Sequence, residues 1–487
     1  GGMVDSVEVK DVRDTPFSGA QHGVALYAYA DNGTDRTLEV KGTNIHDFQK
    51  NGMALNGSNL AVNVHHNTVS GYGPTTVTAQ NGIQVGYGAS GTVAKNSVSN
   101  VSWLGATWTA STILILDADA NVTDNTVSEG QTGIYFWGGS GTLSGNSVSA
   151  SAAGVGKSDF WGIIAGDPPN ALPSPFSEAG GESSSRIRML ADLTMDVTNN
   201  TLTGSGSASS EGLEIAAGYD DDNVGLSATG NTISGWGYGV TVYKCTSGCG
   251  TGGFTSLAVN QNSIAGNSTY GMYVDGMTTD VDAELNWWGD ATGPYHATTN
   301  TGGLGNAVTD YVDYSPWLGK TPGSTPMTYY VQPGADVAKV IQMMQPGDTL
   351  ILMAGNHPGG IVINKGGIKI KGEVGAIIGP GSPAFTVTAA DVVIEDLVLD
   401  GDSSTDPAIL VQSGGDNLTV RNCEIREWAD GIQIADSVES LKVVGNWIHD
   451  NTDAGLQVDS LVALSGVVTI EGNLFKANGG NGIQNDG

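Results

Sequence analysis

The chain has 487 residues, of which 14% are charged and 39% hydrophobic, a balance that fits neither a disordered chain nor a membrane-embedded one. Its formal net charge is −31 with only 19 Lys and Arg, so its surface repels phosphate backbones and anionic lipid, which argues against nucleic-acid partners and membrane insertion. Glycine is the outlier at 73 residues, and no apolar run approaches the roughly 18 residues of a membrane span.

The chain opens on Gly1-Gly2, without the charged and apolar regions of a secretory leader. The reading is a leader already removed, or a piece of a longer polypeptide. Met3-Val4-Asp5-Ser6-Val7-Glu8-Val9 then alternates as a strand, with no capping helix before it. From there one phrase recurs: Asn, any residue, an aliphatic residue, a polar stretch, Gly, and a second alternating strand. It stands at Asn125-Thr126-Val127 with Gly133-Ile134-Tyr135-Phe136, at Asn231-Thr232-Ile233 with Gly239-Val240-Thr241-Val242, and at Asn262-Ser263-Ile264 with Gly271-Met272-Tyr273-Val274. Asn67 to Asn96 and Asn96 to Asn125 are each 29 residues, and Asn231 to Asn262 is 31.

Between these repeats, residues 166–186 break the pattern with Pro168, Pro169, Pro173 and Pro175, and read as a loop bulging from one coil. Cys245 and Cys249 flank Thr-Ser-Gly, a spacing that suits a loop-closing disulfide in an oxidising compartment. Asn286-Trp287-Trp288-Gly289-Asp290, Gly293-Pro294 and Val312-Asp313-Tyr314-Ser315-Pro316-Trp317-Leu318 follow. Trp287, Trp288 and Trp317 read as a lid over an exposed core, with prolines stopping further pairing. A Pro/Gly linker spans 319–326, and 335–344 carries Val337, Val340, Ile341 and Met344 at helical spacing, a capping helix. The phrase resumes at Asn422-Cys423-Glu424-Ile425, Asn446-Trp447-Ile448 and Asn473-Leu474-Phe475, spaced 24 and 27 residues. The last residues, Asn481-Gly482-Ile483-Gln484, stop in mid-phrase. Cys423 has no assigned role.

Short alternating strands at a period in the twenties are the mark of a β-solenoid, with Val and Ile stacked inside and Asn and Gly at the corners, where stacked Asn side chains can hydrogen-bond from coil to coil. The missing Leu-x-x-Leu-x-Leu phrase rules out a leucine-rich horseshoe, and glycine without a period of three rules out collagen. On these phrases, and on the Trp-rich segment, the chain resembles the right-handed parallel β-helix repeat proteins, which include pectate lyases, polygalacturonases, alginate lyases and epimerases and many surface proteins. The resemblance implies an all-β right-handed solenoid; fold alone leaves function open. Residues 1–318 read as the end of such a solenoid and 327–487 as the start of one. The outer ends look cut from one spiral: Asp11, placed after Gly487, would follow Asn473 at a distance inside the period. Closure within one molecule is strained, because about 17 coils at ~4.8 Å span some 80 Å and the linker reaches at most about 28 Å.

The expected function is an extracellular or cell-surface structural protein whose copies complete one another's β-helix head-to-tail into a filament, with Val7, Val9, Val12, Ile470, Phe475 and Ile483 at the junction. A single excised repeat of a longer fibre is the companion reading. The alternative is a carbohydrate-active β-helix, a lyase, hydrolase or glycan binder, with Trp103, Trp108, Trp137, Trp161 and Trp236 as a stacking platform. Asp220, Asp221 and Asp222 offer oxygen ligands for Ca²⁺, as do Asp400, Asp402 and Asp406; neither set has an EF-hand or nonapeptide phrase, and no other cofactor is implied. No catalytic constellation stands out. The basic pairs Arg186/Arg188 and Arg421/Arg426 do not form the cationic groove a polyuronate lyase needs, and His22, His46, His65, His66 and His449 lack metal-ligand spacing. Asn32-Gly33-Thr34 and Asn417-Leu418-Thr419 permit glycosylation in that compartment.

Overall fold

The computed structural model describes residues 1–105, 109–166, 192–205, 207–219, 221–381 and 383–487. The chain divides into two compact units, Gly1–Tyr314 and Ser315–Gly487. Each is a parallel β-helix. Among the described residues, the first unit has an 11-stranded sheet from Gly2–Asp5 to Val312–Asp313 and two 9-stranded sheets. Of these, the second sheet runs from Glu8–Val9 to Ser263–Ile264, and the third from Val24–Tyr29 to Tyr270–Asp275. The second unit has sheets of eight, six and six strands. Among the described residues every strand pair is parallel except Trp317–Leu318, which runs antiparallel to Thr328–Val331.

The core is built by register. Val40, Val64, Val93 and Val122 stack coil on coil in the first sheet, and Ile45, Val69, Val98 and Val127 in the second. Met53, Ile83, Ile113 and Ile134 do so in the third, and all twelve are within 5% of full burial. Each such residue contributes roughly 1.5–3 kcal/mol, and β-branched side chains lose little freedom on a pleated surface. A glycine opens most strands of the third sheet because its column has no room for a Cβ. One added at Gly162 or Gly212 would stand 2.5 or 2.6 Å from the next coil's carbonyl oxygen.

The corner between the first and second sheets carries a ladder of buried asparagines: Asn67, Asn96, Asn125, Asn146, Asn200, Asn231, Asn262 and Asn286. Each side-chain N–H donates to the next Asn oxygen at 2.9–3.1 Å, and that oxygen also accepts the backbone N–H of the Asn below. The ladder recurs as Asn446–Asn473 in the second unit. Here the sequence reading slipped by one residue. Asn422 is exposed at φ 55°, and Cys423 takes the ladder position, its N–H donating to Asn446 Oδ1 at 2.9 Å. Burial pushes the Cys423 thiol up to about 12, so it is an inert space-filler.

Trp288 is fully buried and its ring lies over Gly271 of the last third-sheet strand of the first unit, while Trp287 is half-buried and bonded to Asn262 and Ile264. Val312–Asp313 pairs with Val281–Asp282 in that unit. Trp317 lies in the second unit, stacked at 5.7 Å on Tyr330. The capping helix spans Val337–Met343, with Val337, Val340 and Ile341 buried and Asp336 capping the Lys339 N–H at 3.0 Å. Residues 167–186 of the expected loop lie outside the described residues.

Candidate functional site

Alternation along the third sheet of the first unit directs one set of side chains outward. In Glu211–Ala217, Leu213 and Ile215 are wholly buried, and Gly212 also faces the interior, where its missing Cβ would meet Ile233. With two consecutive residues turned inward, Glu211 and Glu214 share the outer face. Register then sets their neighbours: Trp161, Glu211, Tyr238 and Tyr270 form one row, and Ile164, Glu214, Thr241 and Tyr273 the next.

The carboxyl groups of Glu211 and Glu214 lie within hydrogen-bond range of each other, and the Thr241 hydroxyl donates to Glu211 Oε2 at 2.5 Å. Glu214 is 3% exposed and Glu211 partly exposed. Burial pushes both carboxyls above the usual range, and the charge of Glu211 pushes Glu214 further. Among the described residues neither has an ion-pair partner. The Trp161 indole N–H lies beside both carboxyls and opposes the rise of each.

Beside the pair, four half-buried tyrosines form a continuous patch. Tyr238 stacks on Tyr270 at 5.9 Å, and Tyr273 meets Tyr238 and Tyr270 at 5.6 Å and Tyr243 at 6.2 Å. On the opposite side Leu114, Leu116, Tyr135 and Ile164 pack into an apolar cluster joined by Trp137 and Trp161. The face therefore has apolar flanks around one acidic centre.

The profile of the right-handed β-helix region matches residues 5–159 and 354–487, more than half of the chain. The chain belongs to the right-handed β-helix family. Among solved structures, this β-helix matches a mutant of a PL6-family alginate lyase at 11% identity over 99% of its own length and 94% of that chain. The TM-score is 0.22, a likeness too slight to carry an argument. No curated protein matches the chain.

On this β-helix the residues singled out from sequence scatter. Trp161 and Trp137 reach the outer face, but Trp236 is buried in the core against Phe160 at 5.7 Å, beneath Gly162 and Gly212. Trp103 is half-buried against Gly105, and Trp108 lies outside the described residues, as do Asp220, Arg186 and Arg188. Asp221 accepts from the N–H and hydroxyl of Thr251, tying two turns together, and Asp222 lies against Gly252. Asp400 pairs with Arg426 at 2.8 Å, Asp402 is an exposed turn residue, and the Asp406 N–H donates to Ser404. Among the described residues no three His, Cys, Asp or Glu side chains converge as a metal site. Arg421 pairs with buried Glu395 and Arg426 also with Glu424. His46 bridges Asp47 and Glu8, and His449 bridges Asp450 and Glu424 in the same geometry. His65 pairs with Glu39 and contacts His66, and His22 pairs with Asp14. Cys245 and Cys249 are joined by a disulfide.

A second surface lies at the two outermost coils. Ile470, Ile483 and Val7 are 38%, 48% and 41% exposed, and Phe475, Val9 and Val12 are half-buried. In the final coil the inward positions Ile470, Phe475 and Ile483 continue Val443, Ile448 and Leu456. In the first coil Val4, Val9 and Leu26 precede Val40, Ile45 and Met53. Both coils turn on left-handed residues five apart, Gly472 and Ala477 in one, Ser6 and Asp11 in the other.

The sequence reading missed the Glu211–Glu214 pair. Its signal was present: no other strand of this sheet carries two carboxylates in the recurring Gly-containing phrase. The run Asp220-Asp221-Asp222 drew attention instead.

Proposed function

We propose that this β-helix binds a neutral glycan along the outer face of its third sheet. The observation that carries the reading is the patch of Tyr238, Tyr243, Tyr270 and Tyr273, half-buried and in ring contact across adjacent coils. Tyrosines held in this way present an apolar ring for a pyranose face and a hydroxyl for its rim, at little cost in side-chain entropy. The net charge of −31 and the carboxyl pair favour an uncharged chain over a polyuronate. Gel retardation by neutral polysaccharides tests the reading. Wild type is expected to be retarded, with Tyr270→Ala and Tyr273→Ala each weakening binding about tenfold; unretarded wild type removes the reading.

A second reading is favoured by the outermost coils: head-to-tail assembly of copies into an extracellular filament. The exposed inward pair Ile470 and Phe475 has the five-residue spacing of Val4 and Val9, so one parallel coil can stack on the other and bury both pairs. Location outside the cell agrees with the Cys245–Cys249 disulfide, which persists in oxidising surroundings. Sedimentation of the intact chain should show concentration-dependent growth that Phe475→Asp or Ile483→Asp abolishes. A single species of monomer mass at every concentration sinks this reading.

A further inference from the structure

We propose that the outer face of the second sheet of the first unit binds ice. The proposal is independent of the glycan reading, which concerns the third sheet. In six successive coils one three-residue phrase repeats: a Ser or Thr, a buried aliphatic residue, and a second Ser or Thr. It opens at Thr68, Ser97, Thr126, Ser147, Thr201 and Thr232. The aliphatic residues, from Val69 to Ile233, are at most 1% exposed, so strand alternation turns both hydroxyls of each phrase outward. Register pairs each phrase with the next without a shift at these positions, which gives two unbroken columns of hydroxyls. The opening column is exposed in every coil, and the other, from Ser70 to Ser234, is half-buried or exposed. Among the described residues, only the Ser70 hydroxyl in these columns has a hydrogen-bond partner in the protein, donating to Gly71 O at 3.5 Å and accepting from Asn100 Nδ2 at 3.2 Å.

The fold does not demand this surface. In the second unit the equivalent outward positions hold Glu424 and Arg426 on one strand and Trp447 and His449 on the next. On the first sheet of the first unit, an outward column passes through Glu39, Asn63, Thr92 and Asn121. No Asp, Glu, Lys or Arg enters the two hydroxyl columns, although the chain carries a net charge of −31. The complementary partner is therefore uncharged and bonds through oxygen. A sugar ring would call for an aromatic platform, and these columns contain no aromatic residue.

Spacing names the ligand. Stacked strands set the hydroxyls of one column ~4.8 Å apart and the two columns ~6.6 Å apart. Water oxygens joined tetrahedrally by bonds of about 2.75 Å stand about 4.5 Å apart at second neighbours, and the hexagonal lattice repeats at about 7.3 Å along its axis. Both repeats of the sheet lie within about a tenth of a lattice repeat, along a face about 24 Å long. Liquid water and a soluble sugar have no such repeat in two directions. The asparagine ladder runs along one edge of this sheet, bonding Asn67 through Asn231 coil to coil. It fixes the register of the hydroxyls, so docking on a solid orders little that folding has not ordered already.

The test follows a single ice crystal held just below its melting point in a solution of the full chain, and measures the protein carried into slowly growing ice. Wild type is expected to facet the crystal, to arrest its growth over a measurable freezing gap and to concentrate in the ice. Thr126→Tyr and Thr201→Tyr each raise a ring above the opening column with a residue that strands accept, and should each abolish faceting and enrichment. Ser97→Thr, which keeps the hydroxyl, should retain both, as should Thr194→Tyr on the exposed outer face of the first sheet. Wild type that neither facets ice nor enters it overturns the proposal. So does faceting that survives Thr126→Tyr and Thr201→Tyr in chains that melt with wild type, or that Thr194→Tyr removes equally.

Discussion

Glu214 shows how a single side chain can couple fold and chemistry. Its carboxyl is held above the ordinary 4.5 by burial and then by Glu211, so the fold favours the protonated form. The favourable contribution is whole below about pH 4.5 and is lost as pH climbs toward the raised folded value, because the unfolded chain releases its proton first. The melting temperature of wild type should therefore fall relative to Glu214→Gln, which cannot ionise, as pH rises above about 4.5. Equal pH dependence in the two would mean that Glu214 is solvated. Asn125 makes the opposite case, a neutral residue with every valence used. It donates to Val93 and Asn146 and accepts from Asn96. Asn125→Ala leaves buried donors and acceptors orphaned, and should cost about 3 kcal/mol in denaturant unfolding. Both residues were visible in sequence, but only Asn125 was legible, because its role repeats with the coil. Glu211 and Glu214 occur once, and a single occurrence has no period to announce it. Asn422 and Cys423 show the limit of the repeat itself: adjacent corner residues both fit the pattern, and only the bond to Asn446 tells which one enters the ladder.

At the scale of the strand, the glycine column of the third sheet lets the outer face bear function. Because Gly162 and Gly212 contribute no side chain inward, neighbouring coils approach closely and the residue before each, Trp161 or Glu211, stands on the outer face. Gly162→Ala places a Cβ 2.5 Å from the Gly212 carbonyl oxygen and against Trp236, and should destabilise by about 1–3 kcal/mol. Gly253→Ala, with no heavy atom within 4 Å of its Cβ, should stay within about 0.5 kcal/mol of wild type. Comparable losses at both sites would show that crowding by the next coil does not set the cost at Gly162. The tryptophans divide on the same principle. Trp236 and Trp161 read alike as sequence, yet one fills the space beneath two glycines and the other stands outward beside the carboxyl pair.

Across the whole molecule, the charge of −31 opposes the association of copies that the exposed rows at the outermost coils favour. Raising NaCl from about 10 mM to about 150 mM shortens the screening length from roughly 30 to 8 Å. Light scattering from the intact chain should accordingly grow faster with salt. Growth slowed by salt would place charge attraction, and not stacked apolar rows, at the junction.

The periodic features were settled by sequence alone: parallel coils, stacked aliphatic columns, asparagine corners and the helix near 337–343; the two units divide between Tyr314 and Ser315, so Trp317, read as part of the first segment's lid, belongs to the second unit. Those periodic features are local patterns repeated many times, and a coil's neighbours are its own sequence relatives. Tertiary structure decided what occurs once. It brought Glu211 and Glu214 to one outward face beside Trp161 and four tyrosines, put Cys423 in the ladder, and turned Trp236 into core. The physical reason is that side-chain direction on a solenoid depends on where each coil bends, and that bend is set by contact with the coil above.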